Sequence, residues 1–324
     1  MRAFVTGGAG FIGSHLVRQL LSENQNLVTV YDNLSLGSLS NLESSERLTF
    51  VKGDLLDTTL LTTAIRGHDV VFHLAANSDI LRGSTESDLD FQQGTLATVN
   101  VLEAMRKNDI KEIMFSSTST VYGQVDRSNG PTPENYSPLS PISMYGASKL
   151  AAEAFIVAHH HMYDVVIWIF RFANVVGSRG THGVVKDFIS KLRKNARSME
   201  ILGNGKQEKP YIHVDDCVKG ILYGMNHAPR KAQVFNLGNA DTITVDQIAN
   251  IVVREMGLSS VEFVYTGGDK GWPGDVPYVL LDTAKMRSIG FVPRLNSVGA
   301  VTQAVREMVG ANDASLLGFA RESN

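Results

Sequence analysis

Cysteine is almost absent from this sequence. Cys217 is the only one among 324 residues, so the chain can form neither an intramolecular disulfide nor a cysteine-based zinc cluster. We therefore expect a reducing compartment. Cys217 opens a predicted helix beside Asp215 and Asp216, and because neighbouring carboxylates disfavour a thiolate, we interpret it as a packing residue.

Strong net charge and long apolar runs are also absent. The 30 Lys and Arg residues nearly balance the 33 Asp and Glu residues, which leaves a formal net charge of -3 and no basic field for nucleic acid. No apolar run approaches the ~18 residues of a membrane helix, and Met1–Thr6 enters a strand-like pattern without a signal sequence. We expect a cytoplasmic protein with no nucleic-acid and no membrane partner.

The one cluster of potential metal ligands is the run of histidines at His159–His161. Neighbouring positions of a helix point about 100° apart, so three consecutive side chains cannot converge on one ion. We interpret these histidines as a solvated helix face and predict no metal site.

A glycine-rich turn stands near the start of the chain. A short apolar run leads into Thr6–Gly13, a helical pattern follows over Ser14–Leu21, and a second strand at Leu27–Tyr31 ends on Asp32. Glycines let the backbone approach a pyrophosphate, the helix N-terminus offers free N–H groups, and an acid about 20 residues later can accept hydrogen bonds from a ribose. A glycine turn in some other α/β protein would explain the glycines but not the order. The pattern predicts a dinucleotide site.

Asp32 also indicates which dinucleotide is bound. A carboxylate at this position repels a 2'-phosphate, and no Arg or Lys occurs between Asp32 and Arg47 to offset it. The sequence therefore favours NAD over NADP.

Apolar strand-like segments continue to alternate with helical ones. Strands are predicted at Leu48–Lys52, Val70–Ala76, Ile113–Ser117 and Val165–Phe170, with a long helix at about Thr95–Lys107. This alternation predicts an α/β fold of the Rossmann type, a doubly wound parallel sheet that binds ligands beyond the carboxyl ends of its strands.

The alternation ends after Arg171, where glycine-rich polar loops at 178–183 and 202–210 appear. Loops of this composition often carry binding functions, and 324 residues suit a large α/β domain with a smaller one. We predict an NAD-binding domain at 1–172 with about 214–238, a smaller α/β substrate-binding domain at about 173–213 and 239–312, and a loose tail at 313–324.

Tyr145 and Lys149 lie four residues apart in a helix-favouring run. Positions four apart share one helix face, so the Lys149 ammonium can approach the Tyr145 phenol and favour the phenolate, which otherwise forms only near pH ~10. The pair predicts a base that works near neutral pH, although such a spacing also occurs by chance on many amphipathic helices.

Nine short motifs join these features in one order along the chain. They are TGGAGFIG at 6–13, DNLS at 32–35, GDL at 53–55, HLAA at 73–76, SSTSTVYG at 116–123, YGASK at 145–149, RFANVVG at 171–177, YIHVDD at 211–216 and NLGN at 236–239. In this set the chain resembles the extended short-chain dehydrogenase/reductase family, specifically the nucleotide-sugar branch around UDP-glucose 4-epimerase. A GWPGD segment at 271–275 resembles an archaeal and bacterial subfamily.

The resemblance assigns roles to individual residues. It implies that Tyr145 is the catalytic base, that Lys149 tunes this base and binds the nicotinamide ribose, and that Thr118 bonds to the reacting sugar hydroxyl. The implied NAD-binding residues are Gly7, Gly10, Phe11, Ile12, Gly13, Asp32, Asn33, Asp54, Leu55, Leu74, Ala75, Ala76, Tyr145 and Lys149. The implied substrate-binding residues are Thr118, Tyr122, Asn174, Lys209, Trp272 and Asp275.

The residues after Thr118 distinguish reactions within the family. Similar 4,6-dehydratases carry Asp-Glu there, and decarboxylating relatives keep a Glu, whereas this chain has Ser119 and Thr120. Without a second proton-transfer group, return of the hydride to the other face of a transient 4-keto sugar is the expected outcome. The resemblance then implies C4 epimerisation of a UDP-glucose or UDP-galactose type substrate. The alternatives are a dehydratase, a reductase, a decarboxylase or a noncatalytic NAD-binding sensor.

Several positions depart from the family pattern. Lys209 replaces an arginine that contacts the pyrophosphate and lacks its bidentate fork, Trp272 replaces a second arginine, and Gly94 replaces an asparagine near the cofactor. Arg179 or Lys270 could supply the lost charge. Trp272 could plug its loop or stack on the substrate, and the sequence leaves both possibilities open.

The family commonly forms homodimers through two helices of each subunit. Here these would be the helices near 95–107 and 146–162. Their apolar positions could serve either that face or the core, and they include Leu96, Val99, Leu102, Leu150, Phe155 and Ile156.

Overall fold

The computed structural model of the chain describes residues 1–78, 83, 85, 86, 88–272 and 274–319, with side chains as far as Gly310. The strands are β1 (Arg2–Thr6), β2 (Leu27–Asp32), β3 (Leu48–Lys52), β4 (Val70–His73), β5 (Glu112–Thr118), β6 (Val166–Phe172), β7 (Asn174–Val176), β8 (Ser198–Ile201), β9 (Glu208–Lys209), β10 (Tyr211–His213), β11 (Gln233–Leu237), β12 (Ile243–Thr244) and β13 (Glu262–Tyr265). The α-helices are α1 (Phe11–Leu21), α2 (Thr58–Ala64), α3 (Ala97–Lys107), α4 (Met144–Tyr163), α5 (Val184–Lys194), α6 (Val214–His227), α7 (Val245–Glu255), α8 (Ala284–Ser288) and α9 (Ser297–Phe319).

Seven strands form one parallel sheet in the order β11-β6-β5-β4-β1-β2-β3. Its central strands are apolar and buried on both faces, β4 along its whole length, as a parallel sheet covered by helices requires. The strand order reverses between β1 and β4, where ligands bind in such sheets. The predicted Rossmann-type α/β fold is confirmed.

The core divides into two layers on either side of this sheet. One layer packs α1 and α6 against the sheet around Leu16, Ile221 and Trp168. The other packs α2, α3 and α4 around Leu61, Leu102 and Ile156. Every central strand is thereby shielded from water, which holds the carboxyl ends of the strands rigidly in place.

A third apolar cluster lies apart from the large sheet. It joins α5, α7 and α9 through residues such as Phe188, Ile248 and Val305. The strand pairs β7–β10, β9–β12 and β8–β13 belong to the same part of the chain. These residues fall within the segments predicted for the substrate-binding domain, and the division into domains stays a prediction.

Two helices differ from the sequence-based expectation. A π-helical turn over Phe91–Leu96 precedes α3, so the helical segment begins before Thr95. The last helix, α9, extends to Phe319, where we expected an irregular tail from residue 313; residues 320–324 lie outside the described part. Within that part, no helix is long and apolar enough to cross a bilayer.

Candidate active site

The glycine turn after β1 approaches the loop after β4 closely. Gly7 has a φ of 69°, and a Cβ built there would lie 2.7 Å from the Ala75 backbone nitrogen. A Cβ on Gly13 would lie 2.1 Å from the Gly7 carbonyl oxygen. The chain needs glycine at both positions for two loops to meet at the sheet's switch point.

The N-terminus of α1 leaves its first-turn donors available. Gly10 is the N-cap and has no side chain to accept from them, and the first turn contains no acid. Free N–H groups and the helix dipole favour an anion at this position. Phe11 and Ile12 begin the helix and Leu74, Ala75 and Ala76 follow β4, and all five side chains are half-buried.

Asp32 ends β2 beside this turn and is 8% exposed. Its carboxylate accepts hydrogen bonds from the Ala9 amide at 3.0 Å and the Leu34 amide at 2.8 Å. Each oxygen retains a lone pair for a ribose hydroxyl. The residues that surround the glycine turn therefore fit a dinucleotide with an unphosphorylated ribose.

Asn33 and Asp54 lie together at the neighbouring strand ends. The Asn33 amide donates to the Asp54 carboxylate at 3.0 Å, so the two predicted cofactor residues fix each other. Leu55, by contrast, is 5% exposed and packs its side chain into the core. The Leu55 carbonyl oxygen accepts from the Asn100 side chain at 3.0 Å.

Helix α4 carries Tyr145 and Lys149 and begins close to the Thr118 turn. Ser143 caps the helix by accepting from the Gly146 amide at 3.1 Å. A Cβ on Gly146 would lie 3.0 Å from the Thr120 carbonyl oxygen, so glycine allows the helix to approach the turn. The three predicted catalytic residues, Tyr145, Lys149 and Thr118, are thereby brought together, and we call them the oxidation centre.

Lys149 is 3% exposed. Its Nζ donates to the Ser116 carbonyl oxygen at 2.7 Å and lies 4.7 Å from the centroid of the Phe115 ring. Burial lowers the pKa of the Lys149 ammonium to about 8, and the nearby carboxylates of Glu153 and Asp90 oppose that shift. The side chain is therefore held in one position and remains mostly charged at pH 7.

The environment of Tyr145 differs from the simple expectation. The Lys149 Nζ lies 5.9 Å from the Tyr145 ring centroid, yet withdrawal from water and the Asp90 carboxylate raise the pKa of the phenol to about 12. A hydrogen bond with Thr118 acts in the opposite direction. In the chain alone the phenol is neutral at pH 7, because burial and Asp90 together outweigh the hydrogen bond with Thr118.

Asp90 is a site residue that the sequence did not reveal. It is 2% exposed, its Oδ1 accepts from Asn77 at 2.9 Å, and its Oδ2 has no hydrogen-bond partner among the described residues. Burial raises the pKa of its carboxyl group, while Asn77 and Lys149 lower it. It belongs to none of the motifs, and its position just before a predicted helix was the only signal.

Thr118 ends β5 and caps the short 3-10 helix at Ser119–Tyr122. Its hydroxyl oxygen accepts from the Thr120 amide at 3.2 Å and from the Thr120 hydroxyl at 3.1 Å. Positions 119 and 120 thus contribute a short turn and a hydroxyl group that orients Thr118. They place no carboxylate beside the oxidation centre.

Tyr122 does not offer its hydroxyl to a substrate. The side chain is 3% exposed, its hydroxyl donates to Asn236 at 2.6 Å, and it accepts from Arg171 at 3.0 Å. The resemblance implies that Tyr122 packs near the sugar site, and the turn directs its hydroxyl into the protein. Its part in substrate binding stays a prediction.

Three of the other predicted substrate residues, Lys209, Trp272 and Asp275, lie on β9 and the loop 271–275. The Lys209 Nζ donates to the Asp275 carboxylate at 2.6 Å, and the Gly271 amide donates to its other oxygen at 3.0 Å. Gly274 adopts a φ of 88° between the half-buried Trp272 ring and Ile142, just before α4. We call this loop, apart from residue 273, which lies outside the described part, the substrate loop.

Asn174 begins β7 and pairs with Tyr211 of β10, close to Lys209, whereas Arg179 lies elsewhere. Asn174 is half-buried, and its side chain donates weakly to the Pro210 carbonyl at 3.4 Å. Arg179 has a buried Nη1 with no partner among the described residues, and burial and the nearby Arg18 lower its pKa. Because Arg18 belongs to α1, Arg179 stands on the cofactor side rather than beside Lys209.

Comparison with known proteins places this architecture in context. Residues 3–238 match the model of the NAD dependent epimerase/dehydratase family. The chain belongs to this family. The expected resemblance is confirmed, and NAD is the cofactor that the glycine turn and Asp32 fit.

Individual relatives cover nearly the whole chain. A putative UDP-glucose 4-epimerase of Methanocaldococcus jannaschii is 34% identical over 95% of this chain and 98% of its own. The UDP-glucose 4-epimerase structure from Thermotoga maritima, with UDP-glucose, is 31% identical, with a TM-score of 0.87 and coverage of 96% and 100%. A dTDP-glucose 4,6-dehydratase structure from Streptomyces venezuelae, with NAD, is 29% identical, with a TM-score of 0.87 and coverage of 97% and 98%. The relatives therefore include nucleotide-sugar 4-epimerases and dehydratases.

Proposed function

We propose that this protein is an NAD-dependent 4-epimerase of a UDP-hexose, of the UDP-glucose and UDP-galactose type. The observation that carries the proposal is the Thr118 turn. Elimination needs a further acid and base beside the sugar, and the turn provides the hydroxyls of Ser119 and Thr120 instead. Reversible oxidation at one carbon needs only the oxidation centre.

Asp90 is a buried carboxylate whose charge raises the pKa of Tyr145. It approaches the oxidation centre from the segment before α3, whereas an elimination acid would stand on the Thr118 turn. Its carboxylate is bonded to Asn77. We therefore assign Asp90 an electrostatic effect on Tyr145 and Lys149, not a second proton transfer.

Each residue of the oxidation centre has a distinct task. Bound NAD supplies the hydride acceptor and donor. Tyr145 takes the O4 proton when the alcohol is oxidised and returns it when the ketone is reduced, Thr118 orients the hydroxyl, and the Lys149 charge stabilises the phenolate. Because the unliganded phenol has a pKa of about 12, this pKa must fall when the complex forms.

The substrate side supports a nucleotide sugar. Lys209 is a cation that can shift from Asp275 to a diphosphate, and the substrate loop adjoins the start of α4. Relatives that act on UDP-glucose share the fold over nearly the whole chain. A noncatalytic sensor would have no use for the complete set of Tyr145, Lys149 and Thr118.

The test is to denature the purified protein, identify the released dinucleotide, and follow UDP-, GDP-, CDP- and dTDP-hexoses by NMR. We expect NAD and inversion at C4 of a UDP-hexose. A 4-keto-6-deoxy product would indicate a dehydratase. No turnover of any of these sugars by protein that contains NAD would favour a sensor.

We also propose that the protein forms a homodimer through α3 and α4. Leu102 and Ile156 are buried in the core, but Leu96 is 37% exposed and Phe155 is 46% exposed. A second copy would cover these apolar side chains. We expect a dimer in sedimentation and a monomer for Phe155→Asp; a wild-type monomer would contradict the proposal.

A further inference from the structure

A buried ion pair stands next to the oxidation centre. Glu153 and Arg171 are each 5% exposed. The Arg171 guanidinium donates to both carboxylate oxygens of Glu153, with distances of 3.0 Å from Nε and 2.7 Å from Nη2. A buried pair of this kind is weak evidence of stabilisation, because desolvation of two charges offsets their attraction. Its location suggests another purpose.

The pair connects the elements that carry the catalytic residues. Glu153 lies on α4 one turn after Lys149. Its carboxylate also accepts a hydrogen bond from Ser117, the residue before Thr118 on β5. One carboxylate thus holds both the Lys149 helix and the strand end that carries Thr118.

Arg171 extends the connection to the turn that Thr118 begins. Its Nη1 donates to the Tyr122 hydroxyl and to the Glu134 carbonyl oxygen, both at 3.0 Å. The Tyr122 hydroxyl donates in turn to Asn236 on β11 at 2.6 Å. The Thr118 turn is consequently held at both ends, by Ser117 and by Tyr122.

Strand register brings the members of this group together. Ser117, Arg171 and Asn236 are direct neighbours across β5, β6 and β11, so their side chains project from the same face of the sheet. The Asn236 amide donates to the carbonyl oxygens of Thr132 at 2.9 Å and Asp282 at 3.0 Å. Every nitrogen of the Arg171 guanidinium donates a hydrogen bond. These bonds hold the side chains around Arg171 in a single geometry.

We propose that Glu153 and Arg171 are positioning residues of the oxidation centre. Their ion pair fixes Lys149 and Thr118, which stand on different elements, in one geometry relative to Tyr145. The inference rests on the alcohol oxidation proposed above. Displacement of a reacting group by about 1 Å can cost roughly 100-fold in rate. The ion pair can therefore contribute to the rate even if it adds little to the stability of the fold.

The carboxylate of Glu153 also affects the protonation of Lys149. Four ionisable groups act on or near Lys149, namely Glu153, Asp90, Tyr145 and the neutral His73, whose pKa burial lowers to about 3. Glu153 is the first of the groups that raise the pKa of Lys149. Its removal lowers that pKa, so Lys149 loses its proton at lower pH and the alkaline limb of the rate moves down.

The test compares Glu153→Gln with the double variant Glu153→Met/Arg171→Met. Removal of one partner leaves a buried charge unpaired, whereas two apolar residues of similar volume can restore stability. We expect the double variant to keep the thermal midpoint, the bound NAD and a sugar KM within about twofold, while kcat falls about 10- to 100-fold. We expect Glu153→Gln, which removes the carboxylate but keeps the Arg171 cation, to shift the alkaline limb to lower pH.

A purely structural role gives a different result. Wild-type kcat in a stable double variant, or an unshifted pH profile in Glu153→Gln, would overturn the proposal. If the double variant does not fold, Tyr122→Phe replaces it, because it removes only the hydroxyl that Arg171 holds. A drop of about threefold in kcat at constant KM is then expected, and unchanged kcat would overturn the proposal.

Two controls separate this inference from the proposed function. Arg306→Met removes a surface ion pair with Glu255, 2.7 Å long, and should change neither the thermal midpoint nor the rate. Reduction of bound NAD by the nucleotide sugar is measured in every variant. If the wild type reduces NAD without epimerising, the proposed epimerase fails, while the positioning claim is still tested on that half-reaction.

Discussion

The oxidation centre and the substrate loop both rely on a lysine with a nearby carboxylate, but they hold it differently. Lys149 is 3% exposed and bonds to β5, with Glu153 and Asp90 from two other segments around it. The Lys209 side chain is 22% exposed, and its partner Asp275 belongs to a loop. The first lysine is fixed by the sheet, and the second can exchange partners.

We propose that this difference separates the chemistry from the choice of substrate. Around Lys149 a change is transmitted through strand register and a closed set of hydrogen bonds, so catalysis tolerates little variation. Around Lys209 the described contacts are few and include one ion pair with a loop residue, which allows a lysine and a tryptophan where similar proteins carry arginines. We expect substitutions in the centre to alter kcat and substitutions in the loop to alter KM.

The largest effect is expected for Tyr145→Phe. The variant keeps the ring but cannot take the O4 proton, so kcat should fall about 10³- to 10⁴-fold, the upper range for a general base. C4 inversion by NMR measures the rate, and NAD released on denaturation shows that the cofactor site is intact. Near-normal epimerisation with NAD bound would mean that Tyr145 is not the base.

Lys209→Met should alter KM rather than kcat, in contrast to Tyr145→Phe. Loss of the charge-assisted contact with a diphosphate is expected to raise the sugar KM about 20-fold with kcat nearly unchanged. Lys209→Arg is the matched control, since it keeps the charge and adds a bidentate fork that should hold KM level or lower it. Equal KM values in the wild type and both Lys209 variants would show that Lys209 only stabilises the substrate loop.

Asp90→Asn should shift the pH dependence. Its carboxylate raises the pKa values of both Tyr145 and Lys149, so its loss lowers both. The phenolate then forms at lower pH and the ammonium is lost at lower pH, which moves both limbs of the kcat profile down and raises the rate at pH ~6 up to about tenfold.

The matched control for Asp90 is Asp88→Asn, an exposed carboxylate on the same segment that bonds to Gln92 at 2.8 Å. Its pH profile should coincide with that of the wild type. A profile of Asp90→Asn that moves up, or does not move, would show that Asp90 does not act on the oxidation centre.

Trp272→Ala should have the smallest effect. The ring is half-buried beside Gly274 and the start of α4. If it stacks on the substrate, KM should rise about threefold without a change in kcat. A lower thermal midpoint at constant KM would instead identify Trp272 as a plug of its loop, the other reading of the sequence.

Local signals predicted the cofactor half of the protein well. The glycine turn, Asp32 and the strand alternation all lie within short segments, so sequence spacing alone places them. The start of α4 was predictable for the same reason, since Ser143 is a favourable N-cap directly before the helix. These features depend on neighbours in the chain.

Long-range contacts account for what the sequence did not reveal. Glu153 and Arg171 meet because α4 crosses β6, and Asp90 reaches the oxidation centre from a segment that lacks a motif. The Tyr122 hydroxyl also bonds to distant residues, Asn236 and Arg171, which the spacing of a local motif does not indicate. The pKa of Tyr145 depends on burial, which no spacing of residues reports.

Reversible oxidation at a single carbon is most directly tested by a reaction in D2O. UDP-glucose is incubated with the purified protein, and the sugar products are followed by NMR. We predict UDP-galactose with protium retained at C4, C5 and C6, because hydride leaves and returns at C4 and no other carbon exchanges a proton. Deuterium from solvent at C5 or C6, or a 4-keto-6-deoxy sugar, would contradict the account.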